Sequence, residues 1–314
     1  MPRAITLSLN QLVLFVMIAI ASTMTVGSVA VFKLAFNLKS APLLIIGASY
    51  SVAAFPVLAQ LYSRRDLIRF REQLISALKH IIFWTVPAIG LLIVLRAHLV
   101  RVILGSGEFN WSDTRLTAAA LALFVISLTA HSINLLLIRA FYAGSDTRTP
   151  FFASLTSAAL ALLSALLFNH LYLNSPQLMD FFTTIMRVPE VVGTEVLVLP
   201  ISYTLALWAQ SACLLFFIRR RYALPLGWLP LSFLRALGAT LSGTLVAYFT
   251  LRFMAGLVDI NTFLGIFTQG FVAGLVGIIA IGLAYYLTGA PELLEVCQSV
   301  RRLFHKKHKT KRKD

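Results

Sequence analysis

The chain has 314 residues, of which 59% are hydrophobic and only 12% charged, with a formal net charge of +15. Soluble domains carry about 25% charged residues. Together with a mean hydropathy of +0.84, this excludes an ordinary soluble domain and indicates an all-α, polytopic transmembrane helical bundle. The positive charge does not require nucleic acid, because Lys and Arg accumulate in the cytoplasmic loops of membrane proteins. Cys213 and Cys297 lack metal-type spacing, so no disulfide, metal site or cofactor is expected. Arg3 followed by an apolar run superficially resembles a signal peptide. The run is long and no small-x-small site follows it, so a membrane helix is expected.

A span needs about 20 apolar residues. The first is expected at about 7–24. The second stretch, about 26–61, is too long for one straight crossing. Pro42, Gly47 and Pro56 offer bends, and one long bent helix is expected. Residues Ser63 to Glu72 read as a basic loop or an interfacial helix. A third span is expected at about 75–95, with Pro87 inside it. Polar sequence follows to Arg115, where Ser112 and Asp113 are suited to cap the next helix. Further spans are expected at about 116–138, 151–172, 196–218, 231–253 and 262–287. A compact turn is expected at Arg139 to Pro150 and a longer polar loop at Asn174 to Glu195. The last span is rich in glycine, which lets helices approach closely. Residues 1–300 thus form one helical lobe, and 301–314 form a basic cytoplasmic tail.

With eight spans and the N-terminus inside, the basic segments at 63–72, 139–148, 219–222 and the tail all fall on the cytoplasmic side. The acidic loop around Glu190 and the short loop with Asp259 fall outside. Both termini are therefore expected to be cytoplasmic.

The second stretch carries Lys33 and Lys39, with Asn37 between them. No Asp or Glu occurs before Asp66. Charge inside a membrane segment is costly and points to function. Cations without an acidic partner suggest that the missing anion is the ligand. Helix spacing places Lys33, Asn37 and Ser40 on one face, with Lys39 off it. Lys33, Asn37, Lys39 and Ser40 are therefore candidates to bind an anionic phosphate or diphosphate at a cavity. The bland alternative is snorkelling of each lysine along its own stem to the interface.

His131 and Asn134 lie mid-way along the fourth span and are expected to make interhelical hydrogen bonds, with a proton relay as the sharper alternative. Lys79, His80, Arg235 and Arg252 read as interfacial. The arginines at 219–221 and the tail are suited to anionic lipid headgroups. Glu108, Asp113 and Asp146 sit next to helix starts, where capping accounts for them. No His/Cys cluster, phosphate loop, nucleophile elbow or paired membrane carboxylate appears, so no catalytic residue is assigned.

Three stretches carry a family resemblance: PRAITLSLNQ (2–11), GEFNWSDTRLTAAALALF (107–124) and RAFYAGSDTRTP (139–150). They resemble the MurJ (MviN) lipid II flippases of the MOP exporter superfamily. The more specific patterns are Gly-x-Phe…Asp-x-x-x-Thr and Phe-Tyr-x-x-x-Asp-Thr-x-Thr-Pro. The resemblance implies a fourteen-helix protein of two lobes around a cationic cavity. It implies transport of undecaprenyl-diphosphate-linked muropeptide from the inner to the outer leaflet of the bacterial inner membrane, in peptidoglycan synthesis. It implies alternating access coupled to membrane potential or an ion gradient. The present chain looks like helices seven to fourteen, so the expected partners are the lipid-linked diphosphate, membrane lipids, and a missing N-terminal lobe or a second copy. Aligned on Pro42, the family's cavity arginine falls at Asn37 and its acidic residue at Ser40. Lys33 or Lys39 is then the candidate to supply the charge. Competing readings are another exporter of polysaccharide-lipid precursors, a membrane glycosyltransferase, and a non-transporting or inactive scaffold fragment.

Overall fold

In lipid, a chain must satisfy its backbone hydrogen bonds internally, and a helix does so within one segment. The computed structural model describes residues 2–105, 110–188, 191–259, 262–296 and 298, and shows no strand among them. The basic tail, Glu108, Glu190 and Cys297 lie outside the described residues. The chain forms α1 (Pro2–Ser22), α2 (Ser28–Pro42), a π-helical turn (Leu43–Ala48) and α3 (Ser49–Ser63). Then come α4 (Leu67–Leu104), α5 (Trp111–Val125), α6 (Leu128–Ala143), α7 (Arg148–Asn174) and α8 (Pro176–Met186). A 3-10 turn (Thr194–Leu197) leads into α9 (Val198–Tyr222), followed by α10 (Leu229–Met254) and α11 (Phe263–Leu287).

Six helical segments are long and apolar enough to cross a membrane, or seven if the bent pair α5–α6 counts as one. Ser28–Ser63 is one of them, a continuous 36-residue run. Pro56 sits inside α3 without ending it, whereas the π turn begins directly after Pro42. Helix α4 has 38 residues, roughly 57 Å at 1.5 Å per residue, so it extends well beyond a bilayer core of about 30 Å. The basic stretch at its start is helical from Leu67, where the Asp66 carboxylate caps the Arg69 amide.

Three local features differ from the sequence expectation. The stretch about 116–138 is two helices bent by 43°. At the break, the Ser127 hydroxyl and amide both donate to the Phe124 carbonyl (2.6 and 3.0 Å), an i−3 pattern that tightens the turn. Helix α5 is capped not by Ser112 or Asp113 but by Asn110, with Asp113 returning a bond to the Asn110 amide in a reciprocal box. The segment after Asn174 holds α8 rather than only loop.

The buried apolar residues fall into two clusters. One joins α3, the first half of α4, the C-terminal halves of α6 and α9, and parts of α10 and α11. The other joins α1, α2, α5, α7 and the N-terminal half of α9. On α6 the second cluster ends at Ala130 and the first begins at Ile133; on α9 the corresponding residues are Leu207 and Leu214. The layer between them holds buried Lys39, Ser51, Ser132, Gln210 and Ser211. A polar layer thus separates two apolar cores within the lobe.

Candidate functional site: a buried lysine in a polar layer

Helix α2 sorts its polar residues by face. Lys33 and Asn37 are exposed, one turn apart on the outer side of the lobe. Ser40 is half-buried, and its hydroxyl donates to the Phe36 carbonyl of its own helix (2.8 Å). Lys39 points the other way and has no accessible surface. The structure therefore brings Lys33 and Asn37 together, and separates both from Lys39.

The Lys39 ammonium meets three groups. Its Nζ lies 3.0 Å from His131 Nδ1, 4.7 Å from the Tyr203 ring centre and 5.3 Å from the Phe36 ring centre. Ring faces carry negative electrostatic potential and attract a cation, more strongly when water is excluded. If Lys39 donates, His131 accepts at Nδ1 and carries its own hydrogen at Nε2. The Tyr203 hydroxyl lies 3.4 Å from the same Nδ1. Rings of Phe36, Phe124 and Tyr203 meet edge-on at 5.6–5.7 Å and hold the cage together.

His131 and Tyr203 also line a cavity of about 450 Å³ between α1, α2, α6, α7 and α9. Its other polar walls are Asn10, Gln11, Asn134, Ser157 and Gln210. These groups are themselves cross-linked. Asn134 donates to the Leu207 carbonyl (3.1 Å) and to Gln210 (3.3 Å), and accepts from Ser211 (2.7 Å). Gln210 donates to Ser154 (3.0 Å). Such bonds between helices replace water that lipid cannot supply. His131 and Asn134 thus both bond to other helices. Tyr203 and Gln210 were not singled out from sequence; the signal available was a Gln mid-way along an apolar span.

Elsewhere the charged groups are anchored at the ends. In the α6–α7 turn, Asp146 accepts from the Arg148 and Thr149 amides and the Thr149 hydroxyl, and pairs with Arg221. Burial opposes its charge, but the Thr149 and Arg148 donors and the Arg221 guanidinium outweigh this and hold the carboxyl below the usual range. At the other end, Glu195 accepts from the Thr25 amide (3.0 Å) and hydroxyl, joining the α1–α2 turn to the start of α9. Lys79 lies over the Trp228 ring (5.7 Å) and Arg252 over Tyr248 (5.5 Å). Among the described residues no group of three His, Cys, Asp or Glu side chains could hold a metal ion.

The lobe thus has buried polar groups in its interior, a cavity reaching them, and an exposed cation on its outer side. A family model described as lipid II flippase MurJ matches residues 1–268. A probable lipid II flippase MurJ from Rickettsia prowazekii is 30% identical over 149 residues, covering 48% of this chain and 29% of that protein. The one from Borreliella burgdorferi is 23% identical over 255 residues, covering 77% of this chain and 49% of that protein. A solved structure of lipid II flippase MurJ in an inward closed conformation superposes with a TM-score of 0.66 at 20% identity, covering 90% of this chain and 52% of that one, a likeness of fold. The chain spans about half the length of the solved flippase, and half or less of these curated relatives. With the family model spanning most of its length, the chain belongs to the MurJ lipid II flippase family.

Proposed function

We propose that this chain acts as one lobe of a lipid II flippase. It moves undecaprenyl-diphosphate-linked muropeptide from the inner to the outer leaflet of the bacterial inner membrane, with both termini cytoplasmic. The observation that carries this reading is the family match over residues 1–268. Alternating access needs two units moving about a central site. The chain covers 52% of the solved flippase, so a second lobe completes the transporter.

We assign the candidate site residues different roles by their burial. Lys33 and Asn37 stand exposed on α2, where a second lobe would close a cavity over them. There Lys33 acts as a point-charge contact for the diphosphate. Ser40 is held by its own helix, and Lys39 belongs to the interior of the lobe. The basic ends at Arg64–Arg71 and Arg219–Arg221 face the cytoplasm and its anionic headgroups.

The test is growth of a flippase-depleted bacterium given this chain alone, or with a first lobe from the same genome. Growth only with both supports the two-lobe flippase. Growth with the chain alone shows that copies assemble with one another. Failure of both, with the protein well expressed in the membrane, overturns the reading and favours a scaffold or inactive fragment.

A further inference from the structure

We propose that Lys39 and His131 form a single-proton binding site inside the lobe, loaded from the polar cavity through His131. What the proton does there rests on the transporter reading above; the site itself does not.

The contact sets the stoichiometry. Two basic nitrogens face each other at 3.0 Å. With ammonium on one side and neutral imidazole on the other, one donates and the other accepts. The bond also survives when both are neutral, because the ring in its other tautomer donates its Nδ1 hydrogen to the uncharged amine and leaves Nε2 free toward the cavity. It does not survive two protons, since two cationic donors would then oppose each other with Coulomb repulsion poorly screened. The pair therefore switches between zero and one positive charge.

No fixed anion holds it in one state. On α9 the titratable neighbour is Tyr203, whose hydroxyl faces Nδ1. Helix α1 presents Asn10 and Gln11 to the cavity, and α7 presents Ser157. Helix α5 presents Phe124. On α2 itself, Lys33 is exposed on the opposite side. The carboxylates of the packed elements lie elsewhere: Glu72 is exposed near the start of α4, Asp113 is in the α5 capping box, Asp146 is with Arg221, and Glu195 is with Thr25. Among the described residues no Asp or Glu forms a hydrogen bond or ion pair with either member. A permanently paired lysine would be a structural cation; among the described residues this one has a proton acceptor and two ring faces.

The route is asymmetric. His131 lines the cavity and Lys39 does not. A cavity of about 450 Å³ with several polar walls has room for water. A proton arriving at His131 Nε2 leaves the ring doubly protonated. The Nδ1 proton then passes to Lys39 Nζ, which becomes ammonium as the imidazole returns to neutral. The position also gives the charge mechanical leverage. Lys39 sits less than two turns before the π-helical segment, and His131 lies just after the break that bends α5 against α6 by 43°. Adding a charge where two broken helices meet biases their packing, which is how an ion gradient would enter the transport cycle.

The test is nitrogen NMR of the full chain in lipid nanodiscs, with 15N-labelled lysine and histidine, titrated over about pH 5 to 10, the span of free His and Lys. Lys39→Gln identifies the Lys39 signal, and Lys39→Arg does so if the glutamine variant does not fold. The expected result is one step in which the Lys39 amine passes between ammonium and neutral forms while His131 responds at the same pH. In His131→Asn that midpoint should move by at least tenfold in proton concentration. A Lys39 signal that stays ammonium throughout, or that titrates with no response at His131, overturns the proposal. The measurement needs no lipid transport, so a chain that fails to support growth still reports on the proton site.

Discussion

A cation removed from water must be compensated, and Lys39 shows how thin that compensation can be. It has one hydrogen-bond acceptor, His131, and two ring faces. Hydrogen bonds to charged groups are worth about 1.5–3 kcal/mol. Replacing His131 by Phe removes the acceptor but leaves the buried amine, so unfolding in detergent should become easier by about that amount. Replacing Lys39 by Met as well removes the orphaned charge, and much of the loss should be recovered. A double-mutant cycle that showed simple additivity would mean the two side chains do not interact. From the sequence, both residues could be read as polar intrusions in apolar spans. Their contact could not, because 92 residues separate them and it depends on α2 packing against α5 while the π turn that follows it packs against α6. Helical spacing correctly set Lys39 off the Lys33–Asn37 face, yet it could not say which face was inward. No composition gradient marks the inner side of a helix when lipid and protein interior are equally apolar.

At the residue scale too, Asp113 and Asp146 are acids whose capping role was legible, and Asp146 does more. It lies beside a helix start and caps it, and Arg221 from α9 adds a cross-link. Asp146→Asn should therefore lower stability by about 1–2 kcal/mol. The pH dependence has a definite sign. A carboxyl held low in the folded state contributes above its unfolded value of about 3.9, and that contribution is lost as pH falls through the folded value. Thermal unfolding of the wild type and Asp146→Asn should converge toward acid and diverge toward neutral pH.

The elements were most legible where a long apolar run ends in a basic cluster, as α9 does, whereas α4 runs past both ends of its expected span. They were least legible where a helix changes type without a breaker. Three bend signals were available in the second stretch, Pro42, Gly47 and Pro56, but the irregular turn follows only Pro42. A proline removes one backbone donor; whether the helix then inserts an extra residue depends on what packs beside it. Here that neighbour is α6. A Cβ built on Gly47 would stand 2.5 Å from Ser132 Oγ and 3.0 Å from its Cα. Gly47 is thus required by the close approach of two helices. Gly47→Ala should cost about 1–3 kcal/mol through overpacking. Ser132→Ala in the same chain removes the nearest clash but keeps a 2.9 Å contact at Cβ, so it should restore only part. Full tolerance of Gly47→Ala would mean that the π turn and α6 are free to move apart. The bend between α5 and α6 left still less trace, since Ser127 carries no signal in an apolar span until its hydroxyl is seen turned back on Phe124.

At the scale of the whole molecule, an exposed stripe and a buried layer on one helix must serve different ends. Lys39 lies inside, among helices that pack tightly, so its loss is felt by the lobe whether or not a second lobe is present. Lys33 and Asn37 lie outside, and among the described residues neither has a hydrogen bond or ion pair. An exposed cation on a membrane helix, without a neighbouring acid, contributes little to folding; the proposed role of Lys33 is instead a contact with the substrate. Lys33→Ala should accordingly leave the thermal unfolding of the isolated chain unchanged. In cells that hold both lobes, the same substitution should weaken growth when the native flippase is depleted, and Lys33→Arg should restore it in part by returning the charge. The comparison separates a substrate contact from a snorkelling anchor. An anchor reaches the headgroups from either lobe arrangement and can be replaced there by any long cation, so Lys33→Arg would restore growth fully and Lys33→Ala would lower the amount of protein in the membrane. A substrate contact leaves that amount untouched and shows its loss only in transport.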